Sequence, residues 1–190
     1  MNQPLPIPNQ KALKRSRALF NQIRLAIQKN PQGISFADYM ERVLYTPALG
    51  YYSGPHSPFG LSGDFVTAPE ISPLFSRCLT KQCAQLIDVL GKKIAVLEIG
   101  AGTGRMAAEL LLGLEKENSL PSDYWIFEKS LSLRQQQAQT IKAYCPQSLE
   151  RVQWLETLPM RPFKGIVLAN ELLDAMPVHR FCMIENRCYE

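Results

Sequence analysis

The chain has 190 residues, 46% hydrophobic and 20% charged, the make-up of an ordinary globular protein with room for one full domain plus an appendage. Its 21 basic and 17 acidic residues leave a charge of +4, too mild for a nucleic-acid partner, and no Lys/Arg run is interleaved with aromatics. Five scattered cysteines without C-x-x-C spacing point to reduced thiols, His56 and His179 lack neighbours at metal-ligand spacing, and no apolar stretch is long enough to span a bilayer, so neither a metal nor a membrane partner is expected.

Residues 1–10 are punctuated by Pro and read as a flexible tail. From Ala12 to Gln28, Leu13, Leu19, Phe20, Ile23 and Ile27 recur at helical spacing, predicting an amphipathic packing helix whose Lys11, Lys14, Arg15 and Arg17 form a wet face. Ser35 and Asp38 resemble a capping box opening a second helix, which runs to about Tyr45 before Pro47 stops it. Between Thr46 and Pro69 a segment dense in Gly, Pro and Ser carries Tyr51, Tyr52, Phe59 and Phe65; it is either a lid or a surface loop pinned by its own aromatics. Ser72 and Pro73 open a third helix, expected to turn Phe75, Leu79, Leu86 and Leu90 inward and to stop at Gly91.

Beyond Ile94 short apolar runs alternate with helical patterns: IAVLEIG, Met106 to Leu114, YWIFE, Leu133 to Tyr144, VQWLE and GIVLAN. Strands apolar on both faces and separated by helix-length segments predict an α/β fold, a Rossmann-like parallel sheet with helices on both faces, over residues 93–190 after an N-terminal helical region over 11–92. His179 reads as a strand residue, and the stretch from His179 to Tyr189 has room for one strand or a short hairpin around Glu185-Asn186.

The informative turn is Glu98-Ile99-Gly100-Ala101-Gly102-Thr103-Gly104-Arg105, placed where a strand ends and a helix begins. Glycines there let the backbone turn sharply and approach a ligand, with the N–H groups of a helix start behind them. Gly102 to Ala107 fits the dinucleotide pattern G-x-G-x-x-A, which keeps an NAD-dependent oxidoreductase as an alternative. Glu98 opposes it: a carboxylate there suits the amino end of a methionine moiety, directly or through water, better than a pyrophosphate, and S-adenosyl-L-methionine is the expected cofactor.

Glu128 ends the next strand about 24 residues past Gly104, near the ~20-residue spacing at which an acidic residue meets ribose hydroxyls, although a solvated strand-end carboxylate would look the same. The fourth strand runs into Asn170-Glu171-Leu172-Leu173-Asp174, where Glu171 and Asp174 could grip a guanidinium and aim its nitrogen at a methyl donor. The alternative is a helix start capped by Asn170.

These residues, with the GYYS of Gly50 to Ser53, the GDFVTAPEIS of Gly63 to Ser72, Leu133-Arg134 and the NELLDAMPVHRF of Asn170 to Phe181, resemble the MidA family of S-adenosylmethionine-dependent protein arginine methyltransferases, whose mitochondrial relative assists assembly of respiratory complex I. Leu131 departs from the family, which commonly has Pro there. The resemblance implies methyl transfer to an arginine of a protein substrate, with symmetric dimethylation as the family's product and Gly63, Asp64, Thr67, Pro69 and Glu70 near the cofactor. It also makes the aromatic loop part of the cofactor's cover.

The family runs on for roughly as many residues again, and a class I sheet has about seven strands. A chain ending here is therefore expected to be a cofactor half of marginal stability, with a binding or scaffold protein lacking turnover as the rival reading. A cytoplasmic location is expected, with the mitochondrial matrix as the alternative because the stretch from Lys11 to Arg24 is basic and acid-free. Oligomeric state is left open, a homo-oligomer included.

Overall fold

The computed structural model describes residues 7–55, 58–60 and 63–190; His56 and the first six residues of the tail lie outside them. The chain divides into two compact units, one holding the described residues up to Gly54 together with Ala175–Glu190, the other Pro55–Asp174. This division differs from the expected boundary near residue 92, because the third long helix buries itself within the sheet-bearing unit.

In the first unit, α1 (Gln10–Lys29) starts earlier than its apolar pattern suggests, because the Asn9 side chain accepts the Ala12 N–H at 2.9 Å. None of its residues is buried, so the expected packing face stays largely exposed. Helix α2 (Phe36–Tyr45) is capped as expected, Ser35 Oγ accepting the Asp38 N–H at 3.1 Å. Tyr45 donates its hydroxyl to the Ala175 carbonyl at 2.7 Å and stacks on Tyr52, tying α2 to the C-terminal segment. That segment carries a hairpin, β5 (Cys182–Ile184) and β6 (Arg187–Tyr189), turned at Glu185 and Asn186. Both turn residues have positive φ, as a two-residue type I′ connection requires. His179 precedes β5 rather than joining a strand, and its Nδ1 pairs with Glu190 at 2.7 Å.

The second unit opens with a single-turn helix, α3 (Ala68–Ile71), which the sequence pattern did not separate from the loop. It is followed by α4 (Pro73–Leu90), with Ser72 accepting the Leu74 N–H and Gly91 as its stop. Four parallel strands form the sheet: β1 (Ala95–Ile99), β2 (Asp123–Phe127), β3 (Val152–Leu155) and β4 (Gly165–Leu168), in the order β3-β2-β1-β4. Helix α5 (Arg105–Lys116) connects β1 to β2, and α6 (Leu131–Tyr144) leads toward β3. On one sheet face Val96, Tyr124, Ile126, Val152 and Ile166 meet Ile87, Leu110, Leu111, Leu114 and Ile141 from the helices. The other face is less covered: β2 alternates buried Tyr124 and Ile126 with half-buried neighbours, and Val167 on β4 is 56% exposed.

The buried face of α4 is Ser76, Thr80, Cys83, Ala84 and Ile87; of the residues expected to point inward, Leu79 and Leu90 are half-buried and pack on the core, while Phe75 and Leu86 are exposed. The reason is close helix packing. A Cβ on Gly113 of α5 would stand 2.5 Å from Thr80 Oγ1, so only small residues fit between the helices.

Candidate cofactor and reaction site

The carboxyl ends of β1, β2 and β4 converge on the Gly-rich turn. Gly100, Gly102 and Gly104 have φ of 72°, 52° and 81°, a left-handed region that L side chains rarely adopt, so the glycine spacing is a backbone requirement. The Gly100 N–H donates to the Phe127 carbonyl at 3.0 Å, locking the turn to the end of β2. Helix α6 holds the turn's carbonyls, Gln137 Nε2 donating to Gly102 at 3.0 Å and Thr140 Oγ1 to Thr103 at 2.8 Å. A Cβ on Gly104 would stand 2.8 Å from Gln137 Cα, which sets how closely α6 approaches.

Part of the expected Gly63–Glu70 segment reaches this turn. Glu70 accepts a hydrogen bond from the Thr103 hydroxyl, and the Phe59 ring lies about 4.0 Å from where a Cβ on Gly102 would sit. Thr67 precedes α3 as its N-terminal cap residue, Pro69 is buried within it, Asp64 is exposed, and Gly63 donates its N–H to the Gly60 carbonyl. Of the expected segment, Glu70 therefore meets the turn, alongside Phe59 from the loop that precedes the segment.

Glu128 is buried just past β2. Its Oε1 accepts the Ser130 N–H at 2.9 Å and its Oε2 accepts Gln137 Nε2 at 3.2 Å. Burial holds its carboxyl above the ordinary carboxylate range, against those hydrogen bonds and the nearby Arg134 charge, which favour ionisation. The Lys129 backbone N–H also favours the ionised form, and the rest of the carboxylate's acceptor capacity is what a ribose hydroxyl could use. Arg134 fixes the surroundings by donating to the Glu128 carbonyl at 2.6 Å and the Leu155 carbonyl at 3.0 Å, joining the carboxyl ends of β2 and β3.

Glu98 lies elsewhere than an open binding surface. It is 1% exposed, on the core face of β1, with Tyr124 donating its hydroxyl to Oε2 at 2.5 Å. Burial raises its pKa to about 7; the Tyr124 hydrogen bond lowers it in part and the Glu128 charge adds to the rise. Any influence of Glu98 on a ligand in this arrangement is exerted from behind the turn, as charge.

The segment after β4 presses on the same turn, Leu172 Cδ1 standing 2.9 Å from the place a Cβ on Gly100 would take. Glu171 and Asp174 are exposed and Asn170 is half-buried. No long helix starts at Asn170, since only a three-residue 3-10 turn, Leu173–Ala175, follows. Glu171 instead has a φ of 49°, an uncommon backbone state for a non-glycine residue and one that concentrates at functional sites.

Sequence reasoning missed Gln137, Thr140, Tyr124 and Thr103. A signal for Gln137 existed: Leu133, Gln137 and Ile141 form the buried i, i+4, i+8 stripe of α6, and an amide in the middle of an apolar stripe calls for polar partners.

Parallel strands, a Gly-rich turn into a helix, and a carboxylate at the end of the second strand define a nucleotide-binding α/β protein of the class I methyltransferase type. Residues 78–190 match the family model described as a putative S-adenosyl-L-methionine-dependent methyltransferase. The human mitochondrial protein arginine methyltransferase NDUFAF7 is 33% identical over 180 residues, and its zebrafish (Danio rerio) counterpart 31% over 176; each alignment takes in 80% of this chain, but only 40% and 41% of those proteins. A protein from Burkholderia thailandensis crystallised with S-adenosyl-homocysteine is 45% identical with a TM-score of 0.83, over 92% of this chain and 46% of that one. The chain belongs to the MidA/NDUFAF7 family of S-adenosyl-L-methionine-dependent methyltransferases, and it spans less than half the length of these relatives.

Proposed function

We propose that this chain binds S-adenosyl-L-methionine at the carboxyl ends of β1, β2 and β4 and serves the transfer of a methyl group to a protein arginine. The observation that carries the reading is the joining of the Gly100–Gly104 turn to Glu128 through Gln137, which assembles a backbone cradle and a ribose acceptor in one place. The residues fit the cofactor: left-handed glycines permit close approach, and the Glu128 carboxylate has acceptor capacity beyond its Ser130, Gln137 and Lys129 donors.

When bound, the cofactor supplies an electrophilic methyl group on a sulfonium. Glu128 accepts the ribose hydroxyls, Phe59 shields Gly102 from water, and Glu98 favours the cofactor's positive charge from behind the turn. Glu171 and Asp174 receive the substrate guanidinium by charge-assisted hydrogen bonds, and Asn170 helps to orient it. Methylation leaves the arginine nitrogen with a surplus proton, which an exposed carboxylate at Glu171 or Asp174 can accept and pass to water.

The names of the NDUFAF7 relatives support arginine as the acceptor, and the family resemblance extends the reading to symmetric dimethylation. The test is transfer of labelled methyl from S-adenosyl-L-methionine to arginine-containing protein, followed by hydrolysis and separation of mono-, symmetric and asymmetric dimethylarginine. Label in arginine, lost on Glu171→Gln, is the expected result. Cofactor binding with no transfer to any arginine would overturn the catalytic half of the proposal and leave a cofactor-binding module.

A further inference from the structure

We propose that Gln137 is the positioning residue of the cofactor site, one buried amide that sets both the direction of the Glu128 carboxylate and the direction of the Gly-rich turn's backbone. The inference rests on the reading of Glu128 as ribose acceptor.

Gln137 is 0% exposed, and each polar atom of its side chain is engaged. Trp154 Nε1 on β3 donates to its Oε1 at 2.9 Å. An indole N–H can only donate, so this bond decides which end of the amide is oxygen and removes the flipped alternative. The two hydrogens on Nε2 then have two acceptors, the Gly102 carbonyl at 3.0 Å and Glu128 Oε2 at 3.2 Å. Trp154, Gln137 and Glu128 thus form a directed chain of hydrogen bonds that starts at β3 and ends on the ribose acceptor.

The bond to Gly102 has a second effect. The peptide between Gly102 and Thr103 is trans and planar, so its carbonyl and N–H point opposite ways. With the carbonyl drawn toward α6, the Thr103 N–H is turned away from α6. Packing alone gives no reason for an amide here, because Leu133 and Ile141 flank it on the buried stripe and an unneeded buried amide is costly. A Met would fill similar space without donating.

A purely structural residue and a positioning residue differ in what their loss does to ligand discrimination. The experiment is calorimetric titration of the chain, wild type and Gln137→Met, with S-adenosylhomocysteine and with its analogue lacking the ribose 2′-hydroxyl. Wild type should prefer the intact ribose by about tenfold or more, the scale of a hydrogen bond to a charged acceptor. In Gln137→Met the affinity for S-adenosylhomocysteine should fall by roughly 10- to 100-fold and the preference should shrink to within about threefold.

A folded Gln137→Met protein that keeps the wild-type preference overturns the role of Gln137 while leaving Glu128 as ribose acceptor. A wild type with no preference at all overturns the Glu128 reading, and the proposal falls with it. Where Gln137→Met fails to fold, Trp154→Phe serves instead. It removes the bond that orients the amide, with a smaller ring left packing on the core, so the preference should weaken by about threefold or more; an unchanged preference there also refutes the proposal.

Discussion

Replacing Glu98 by Gln should stabilise the protein above neutral pH, the opposite of what removing a buried charged residue beside a ligand site would suggest. Glu98 titrates at about 7 in the folded chain, against an ordinary value of 4.5. Because the folded value is the higher one, the stability contributed by the protonated form is fully present below about 4.5 and is lost as pH rises through about 7. A tenfold change in an equilibrium is worth about 1.4 kcal/mol, so the complete loss is on the order of 3 kcal/mol. Gln stays neutral at every pH and its carbonyl can still accept from the Tyr124 hydroxyl. Urea unfolding at pH 5.5 and pH 8.5 should show the margin of Glu98→Gln over wild type widening by roughly 2 kcal/mol between the two. A margin that does not change with pH, or a variant less stable than wild type at pH 8.5, would refute the account of Glu98 as a carboxylate ionised against its burial.

The same buried carboxyl predicts that S-adenosyl-L-methionine binds more tightly at pH 8 than at pH 6 and releases protons near pH 7. A bound cation favours ionised Glu98, as the Tyr124 hydrogen bond does, against burial and the Glu128 charge; titrations in buffers of differing ionisation enthalpy measure the release, and proton uptake would contradict it. Gly104→Ala combines a φ of 81° with a Cβ 2.8 Å from Gln137 Cα, and should cost about 3 kcal/mol or more in chemical denaturation. Gly113→Ala should cost about 1–3 kcal/mol by collision with Thr80, and adding Thr80→Ala should return part of it; additive losses in the double-mutant cycle would show that the helices do not meet there.

How much was legible in the sequence follows the range of the interactions involved. Ser35 and Ser72 cap their helices, Glu185-Asn186 turns its hairpin, and the three glycines take left-handed φ because each depends on a few neighbouring residues. The strands were legible as apolar runs, and their parallel pairing followed from the helices between them. The inward face of α4 was legible only in part: Leu79 and Leu90 pack on the core, but the close fit of Thr80 to Gly113 puts small residues where large ones draw the eye. Gln137 was equally hidden: its partners Gly102, Glu128 and Trp154 lie on three other elements, and only the folded sheet brings them to one amide. Glu98 was read as an acidic residue near a ligand, whereas its alternation on β1 places it on the core face beside Tyr124. The joining of the described residues up to Gly54 with Ala175–Glu190 depends on contacts such as Tyr45 to Ala175, which no local pattern announces.

The central claim, a cofactor site built from the Gly-rich turn and Glu128, is tested most directly by calorimetric titration of this chain with S-adenosyl-L-methionine, with NAD and Glu128→Ala as controls. Saturable one-site binding, absent with NAD and weakened by about 100-fold or more in the variant, is the expected result, since a buried carboxylate meeting two hydroxyls makes two charge-assisted hydrogen bonds. A folded chain that does not bind, or a Glu128→Ala variant that binds as tightly as wild type, would contradict it.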